Sequence, residues 1–395
     1  MGSIQDWMAL TAEVRERRGL VRHALPTAEG MLDFASNDYL GLSLDPRVRE
    51  AGVEAIAQHG AGARASRVVT GTLSVHEDLE AALCRLTGQP AALACSTGYA
   101  ANLAVLTALS GPDVLIAHDE HVHASVIDGA RMSRSSKVSF PHADLAALDE
   151  LLAARTQRRA IVVVESVYSV LGDVSDLPAT IELCTQRDAL LVVDEAHGIG
   201  VLGDGRGGVH AAGLAGREDL VVTLTLSKAL GSMGGAVLGS PAIREHLTNV
   251  ARPFIFDTAL APGPAGSAAA AARIIMAEPR RVARLNGVAE RIALAVGVPR
   301  PPGPIVSIPI GRAEDAARAA GTLRLAGMLV ACFRPPSVPD GVSRLRLTAR
   351  STMGTRGIEQ LGDLLRPLLA DAACATSAAR ATGATSSPGA PGVAP

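Results

Sequence analysis

The sequence predicts an α/β protein built on a mainly parallel sheet, with a smaller α/β domain towards the C-terminus, and three observations carry that expectation. Short apolar runs recur between residues 50 and 250: Val114-Leu115-Ile116-Ala117, Ile161-Val162-Val163-Val164, Leu190-Leu191-Val192-Val193 and Leu220-Val221-Val222-Thr223. Helical stretches, 144–155 and 176–188 among them, separate several of these runs. The runs are rich in β-branched residues and do not alternate with polar ones, the pattern of strands buried on both faces by crossover helices.

Taken in order, residues 1–30 read as an amphipathic helix carrying Arg15, Arg17, Arg18 and Arg22, followed by a turn at Pro26. Ser74-Val75-His76-Glu77 has the spacing of a capping box and opens a helix running to about Thr87. A strand at 92–95 leads into Ser96-Thr97-Gly98-Tyr99-Ala100-Ala101-Asn102, which opens another helix. After the four apolar runs, proline-rich breaks at 262–264 and 299–304 bracket a helical stretch. The chain beyond, to about 371, reads as the smaller domain. From 372 it is Ala, Gly, Ser, Thr and Pro without periodicity, which is expected to lack order. The expected division is an N-terminal helical arm at 1–45, a large domain at 46–286, a small C-terminal domain at 287–371 and a disordered tail at 372–395.

A formal net charge of −2 over 395 residues provides no broad basic field, so neither nucleic acid nor a membrane surface is an expected partner. The N-terminus carries Asp6 early and has no apolar run, unlike a signal peptide. Cys84, Cys95, Cys184, Cys332 and Cys374 are odd in number and lack metal-like spacing, so a reducing cytoplasmic setting and no metal centre are expected. Of the 37 Lys and Arg residues only Lys137 and Lys228 are lysines. High-GC codon usage accounts for most of that bias. A lysine that survives it is nonetheless a candidate for chemistry that guanidinium cannot perform. Lys137 sits in a polar, basic stretch and reads as solvated.

Ligands in parallel α/β sheets gather at the carboxyl ends of the strands, which directs scrutiny to the residues after each run. Val192-Val193-Asp194-Glu195-Ala196-His197 resembles an ATPase acidic box, but no phosphate loop with its Gly-Lys pair accompanies it. Gly198-Ile199-Gly200-Val201-Leu202-Gly203 fits a dinucleotide fingerprint only in spelling, because Asp-Glu-Ala-His separates it from the strand. Thr225-Leu226-Ser227-Lys228-Ala229-Leu230-Gly231 places a lysine at a strand end entering buried structure. That is costly unless the amine is neutralised, and a covalent bond to an aldehyde cofactor does so. Pyridoxal phosphate also needs a carboxylate at its ring nitrogen, donors around its ring oxygen and a phosphate cradle. Asp194 and His197 supply the first two, and the Ser96–Asn102 helix start the third. Read alone, His123 is an ordinary buried or solvated histidine, and Arg346 an ordinary salt-bridged strand arginine.

Together, Ser36-Asn37-Asp38-Tyr39-Leu40-Gly41-Leu42, the 96–102 segment, His123-Ala124-Ser125, and the 194–198 and 225–231 segments resemble the α-oxoamine synthases. Arg334-Pro335-Pro336-Ser337-Val338-Pro339 and Arg344-Leu345-Arg346-Leu347-Thr348 extend the resemblance, which covers roughly residues 15–370 in the same order. It implies the aspartate-aminotransferase-like fold (fold type I), pyridoxal 5'-phosphate as cofactor, and a homodimer with its sites at the subunit interface. It further implies that Lys228 binds the cofactor and moves protons, that His123 covers the ring, and that Asp194 holds the ring nitrogen. His197 and Ser169 would bond around the ring oxygen, and Gly98, Tyr99 and Thr225 would hold the phosphate. Arg346, aided by Asn37, would take the amino-acid carboxylate, while Arg22 and Ser337 would contact substrate.

The implied reaction is condensation of an amino acid with an acyl thioester and loss of CO2. The Arg334–Pro339 motif and Ala-Arg-Pro-Phe-Ile-Phe-Asp-Thr at 251–258 point, within the family, to L-alanine and a pimeloyl thioester. Two departures bear on the acyl donor: Arg64 stands where relatives carry smaller residues, and Val170-Leu171 replaces a Met-Asp pair. Glycine with acetyl-CoA, glycine with succinyl-CoA and serine with a long acyl-CoA are the neighbouring readings, aminotransfer a more distant one, and a non-catalytic scaffold the reading from another class.

Overall fold

The computed structural model describes residues 3–381, apart from 19, 23, 25, 336 and 339. Seven strands form the main sheet, in the order Ala91–Cys95, Gly235–Gly239, Leu220–Thr225, Ala189–Asp194, Arg159–Glu165, Val114–Asp119 and Ser136–Phe140. Only Gly235–Gly239 runs against the rest, so the expected mainly parallel sheet is present. Its strands are lined on both faces because alternate residues enter two separate cores. Ile116, Val163, Val192 and Val221 pack with the helix Gly98–Ala108 in one. Ala117, Val162, Val193 and Val222 pack with helices such as Ser74–Thr87 and Pro262–Ala277 in the other. A second, antiparallel sheet of Ala331–Phe333, Ser343–Thr348 and Ile305–Gly311 lies towards the C-terminus.

Several local expectations change. The N-terminal helix is Ile4–Arg17 rather than the whole of 1–30, and none of its residues is buried. The helix Ser74–Thr87 is capped one residue earlier than expected. His76, not a Ser–Glu pair, returns its ring Nδ1 to accept the N–H of Leu73 at 3.0 Å. The boundary expected between 286 and 287 falls inside the continuous helix Pro279–Val296. The C-terminal helix Thr355–Ala381 extends into the stretch expected to be a disordered tail, whose remainder, 382–395, lies outside the described residues. Residues 198–203 form turns closed by the Ile199–Arg206 bridge, so no dinucleotide-type strand-to-helix step occurs there. Lys137 lies on the edge strand Ser136–Phe140 and is exposed.

The parallel strands share one carboxyl edge. It gathers residues 97–99, 123–125, 165–169, 194–197 and 225–228, which are far apart in the chain, around one cavity.

Candidate active site

A cavity of about 240 Å³ opens at that edge, and Lys228 enters it from the turn after Leu220–Thr225. Its Nζ lies 2.7 Å from His197 Nε2. Burial disfavours the ammonium and brings its pKa down to about 8, although Asp194 pulls the other way. On the far side of the imidazole, His197 Nδ1 makes a short bond with the Tyr39 hydroxyl. Burial, then the positive charges of Lys228 and Arg346, hold His197 neutral by pushing its pKa well below the usual value. Burial likewise raises Tyr39 to about 12. One neutral ring therefore joins Lys228 to Tyr39, accepting at one nitrogen and donating at the other.

Asp194 ends the strand Ala189–Asp194 and is buried. Its Oδ2 accepts from Asn102 Nδ2 at 2.8 Å and its Oδ1 from the Ala196 N–H at 2.9 Å. Asn102 is oriented in turn, because its Oδ1 accepts the Thr223 hydroxyl at 2.6 Å. The same Nδ2 donates to Ser125 Oγ at 2.9 Å, which leaves the Ser125 proton for His123 Nδ1 at 2.8 Å. The Ser125 N–H also points at that nitrogen, 3.2 Å away. His123 Nδ1 is thus an acceptor, and the ring proton belongs on Nε2. Burial lowers the His123 pKa, so the ring lines the cavity uncharged.

The third part is the start of the helix Gly98–Ala108, whose first backbone N–H groups have no partner within the helix. Thr97 caps it by accepting the Ala100 N–H at 2.9 Å. Glycine is required at two contacts here: a Cβ on Gly98 would sit 2.9 Å from Thr225 Cβ, and one on Gly235 only 2.4 Å from the Gly98 nitrogen. Close approach brings Gly98, Tyr99 and Thr225 together, a helix-start arrangement suited to an anion. The Tyr99 hydroxyl donates to Asp128 at 2.6 Å.

Of the residues singled out from the sequence, Lys228, His123, Asp194, His197, Ser169, Gly98, Tyr99 and Thr225 all line this cavity. Asn37 and Arg346 connect to it through Tyr39: Arg346 Nη2 donates to Asn37 Oδ1 at 3.0 Å and reaches the Tyr39 hydroxyl at 3.5 Å. Arg22 and Ser337 do not line it. They bond each other at 2.9 Å in a separate cleft of about 1060 Å³ that includes Phe333. Arg346 lies 5.5 Å over the Phe333 ring and so stands between cleft and cavity. Arg64 is exposed, with a left-handed backbone (φ 71°). Sequence reasoning missed Tyr39, Asn102, Ser125 and Glu165. The first three stood inside motifs already picked out, and Glu165 directly follows an apolar run, where the strand-end rule could have found it.

The loop carrying Ser169 is clamped from outside the cavity. His142 Nδ1 meets Asp119 at 2.9 Å and Nε2 meets Asp173 at 2.8 Å, while its ring stacks on His121 with centroids 3.8 Å apart. Burial opposes the charge on His142, but its bonds to the two carboxylates overcome that and push it up to about 10. A pKa raised on folding stabilises fully below the unfolded value of about 6.5, and the gain is lost as pH rises through about 10. His142→Asn is therefore expected to melt below the wild type at about pH 7, and the two melting temperatures to converge by about pH 10.5. A gap that stays constant across that range would contradict the clamp.

The family model for aminotransferase class I and II matches residues 29–364. The 8-amino-7-oxononanoate synthase of Mycobacterium ulcerans is 47% identical over 377 residues, 95% of this chain and 96% of that one. A solved serine palmitoyltransferase from S. paucimobilis with bound PLP and myriocin matches with a TM-score of 0.86 at 28% identity, covering 95% of this chain and 100% of the other. An 8-amino-7-oxononanoate synthase from Francisella tularensis matches with a TM-score of 0.75 at 26% identity, covering 87% of this chain and 99% of that one.

Proposed function

The chain belongs to the aminotransferase class I and II family, and from that premise we propose that it condenses L-alanine with a pimeloyl thioester to give 8-amino-7-oxononanoate for biotin biosynthesis. The observation that carries this reading is the convergence of Lys228, His197, Asp194 and His123 on one cavity, in a chain matching such synthases along nearly its whole length.

The residues fit pyridoxal 5'-phosphate: a buried amine of lowered pKa, a buried carboxylate held by two donors, and a helix start narrowed by Gly98 and Gly235. When bound, the cofactor supplies an electron-withdrawing ring that takes up the electron pair released at the substrate α-carbon. Lys228 would hold its aldehyde, Asp194 its ring nitrogen, and His123 would cover the ring. His197 and Ser169 would bond its ring oxygen, while the Gly98 and Tyr99 N–H groups and the Thr225 hydroxyl would hold its phosphate.

Arg346, with Asn37, holds the alanine carboxylate. Once the alanine amine has displaced it from the aldehyde, Lys228 Nζ, neutral in a fraction of molecules at pH 7 because its pKa is about 8, takes the alanine α-proton. A carbon–carbon bond forms between that α-carbon and the acyl carbon, the carbon–sulfur bond breaks, and the thiol departs with a proton taken from solvent. The carboxylate leaves as CO2, and a proton returns to the α-carbon from Lys228. Arg22 and Ser337, in the adjoining cleft, hold the acyl donor. The enzyme works as a homodimer in the cytoplasm. Ile4, Trp7, Met8 and Leu10 form an exposed apolar face of the kind a second subunit covers, and the unpaired Cys84, Cys95, Cys184 and Cys332 accord with a reducing compartment.

Incubation with L-alanine and pimeloyl-CoA is expected to release free thiol and CO2 in equal amounts, with a product of the mass of 8-amino-7-oxononanoate. Thiol release with glycine and acetyl-CoA in place of these substrates would move the chain to a sister synthase. Pyruvate formed without thiol would make it an aminotransferase.

A further inference from the structure

Glu165 is the last residue of the strand Arg159–Glu165 and pairs in register with Asp194 on the neighbouring strand. Its carboxyl group is buried and lines the same cavity as Lys228. One oxygen, Oε1, accepts the backbone N–H of His123 at 2.6 Å, and the other, Oε2, accepts that of Ser169 at 3.2 Å. These bonds reach two different segments. His123 caps the helix Ala124–Met132, whereas Ser169 lies in the loop closed by the Val167–Val174 bridge. One side chain thus joins the backbones of two residues on which the proposed cofactor site depends.

Two carboxyl groups at paired strand positions, both withdrawn from water around one cavity, resist carrying two charges at once. Asp194 and Lys228 face Glu165 from the next strand and the turn beyond it, His123 from the helix start, and Tyr39 and Tyr168 from their loops. Burial, then the charge of Asp194, pushes Glu165 up to about 8 against the pull of Lys228 and the two backbone donors. A protonated carboxyl keeps lone pairs on both oxygens, so both backbone bonds survive in the neutral form. We propose that Glu165 is a positioning residue of this site: its buried carboxyl group, a neutral acid beside Asp194, ties the backbone of His123 to that of Ser169. The inference rests on the reading of this cavity as the cofactor site.

Glu165→Gln tests it, because an amide keeps the size but has one accepting oxygen for two N–H donors. Glu165→Met removes both acceptors. Cofactor affinity, read from visible absorbance of the reconstituted protein, is expected to weaken about tenfold in Glu165→Gln and further in Glu165→Met, with far-UV circular dichroism unchanged. Infrared difference spectra of wild type against Glu165→Gln should show a protonated carboxyl stretch near pH 7 that fades above about pH 9. Wild-type affinity in Glu165→Gln would overturn the positioning role, and a carboxylate signature for Glu165 near pH 7 would overturn the neutral acid. If Glu165→Met does not fold, Glu165→Gln and the infrared spectra still decide. A wild-type protein that binds no cofactor would defeat the proposed function, whereas weakness confined to the variants leaves that function standing.

Discussion

Lys228→Arg protein is expected to turn over at background, a loss of at least about 10⁴-fold, while keeping its fold. Guanidinium stays protonated across the accessible pH range, so arginine can neither bond the cofactor aldehyde nor accept the substrate α-proton. The surroundings of Lys228 are built for an amine: Nζ contacts neutral His197 at 2.7 Å, and burial brings its pKa to about 8. Lys137, exposed on an edge strand, cannot substitute. Thiol release in steady state measures the loss, and near-wild-type circular dichroism excludes unfolding as its cause. Lys228→Ala serves as the second variant, since it removes the amine without crowding His197. Residual turnover well above background in both would mean that another group does this work.

Asp194→Asn is expected to lower kcat by roughly 10²–10³-fold, with a much smaller change in KM for alanine. The substitution removes the negative charge that faces the cofactor ring nitrogen in the proposed site. It also breaks local logic. Asp194 accepts from the Asn102 amide and from the Ala196 N–H, and an asparagine must turn its own NH₂ towards one of these donors. The disturbance passes to Ser125 and His123 through Asn102, which bonds Ser125 with the same nitrogen. Arg346 and Asn37 are outside this network, so alanine binding should be largely spared. A loss confined to KM would place Asp194 with the substrate carboxylate instead.

The strands legible in the sequence were those with a strong local signature. The runs at 114–117, 161–164, 190–193 and 220–223 became the centre of the sheet because unbroken β-branched stretches suit positions covered on both faces. The strands Ser136–Phe140 and Gly235–Gly239 escaped notice for opposite reasons. The first is an edge strand whose polar residues face water, and the second is short and opens on Gly235, a glycine needed for contact with the helix start at Gly98. Lys228, Asp194 and His197 were legible because each follows an apolar run, where a parallel sheet exposes its functional edge.

The connections among those residues were not legible. Tyr39 meets His197 across 158 positions of sequence, and Asn102 meets Asp194 across 92. Such bonds leave no periodicity or spacing for a linear reading to detect. Arg22 and Ser337 meet across 315 positions, and their motifs gave no sign that they share a cleft beside the cavity rather than line the cavity itself. His142 was invisible for the same reason, since its two carboxylates come from the ends of a strand and a loop on either side of it in the chain.

Lys228 is the amine proposed to hold the cofactor, and the presence of only two lysines makes that directly measurable. The protein is reconstituted with pyridoxal phosphate, treated with borohydride to fix the cofactor to whichever amine carries it, digested, and mapped by mass spectrometry. One modified peptide, containing Lys228, is expected, with modification blocked when L-alanine is added first. Labelling of Lys137 or the N-terminus alone, or no labelling at all, would contradict that assignment.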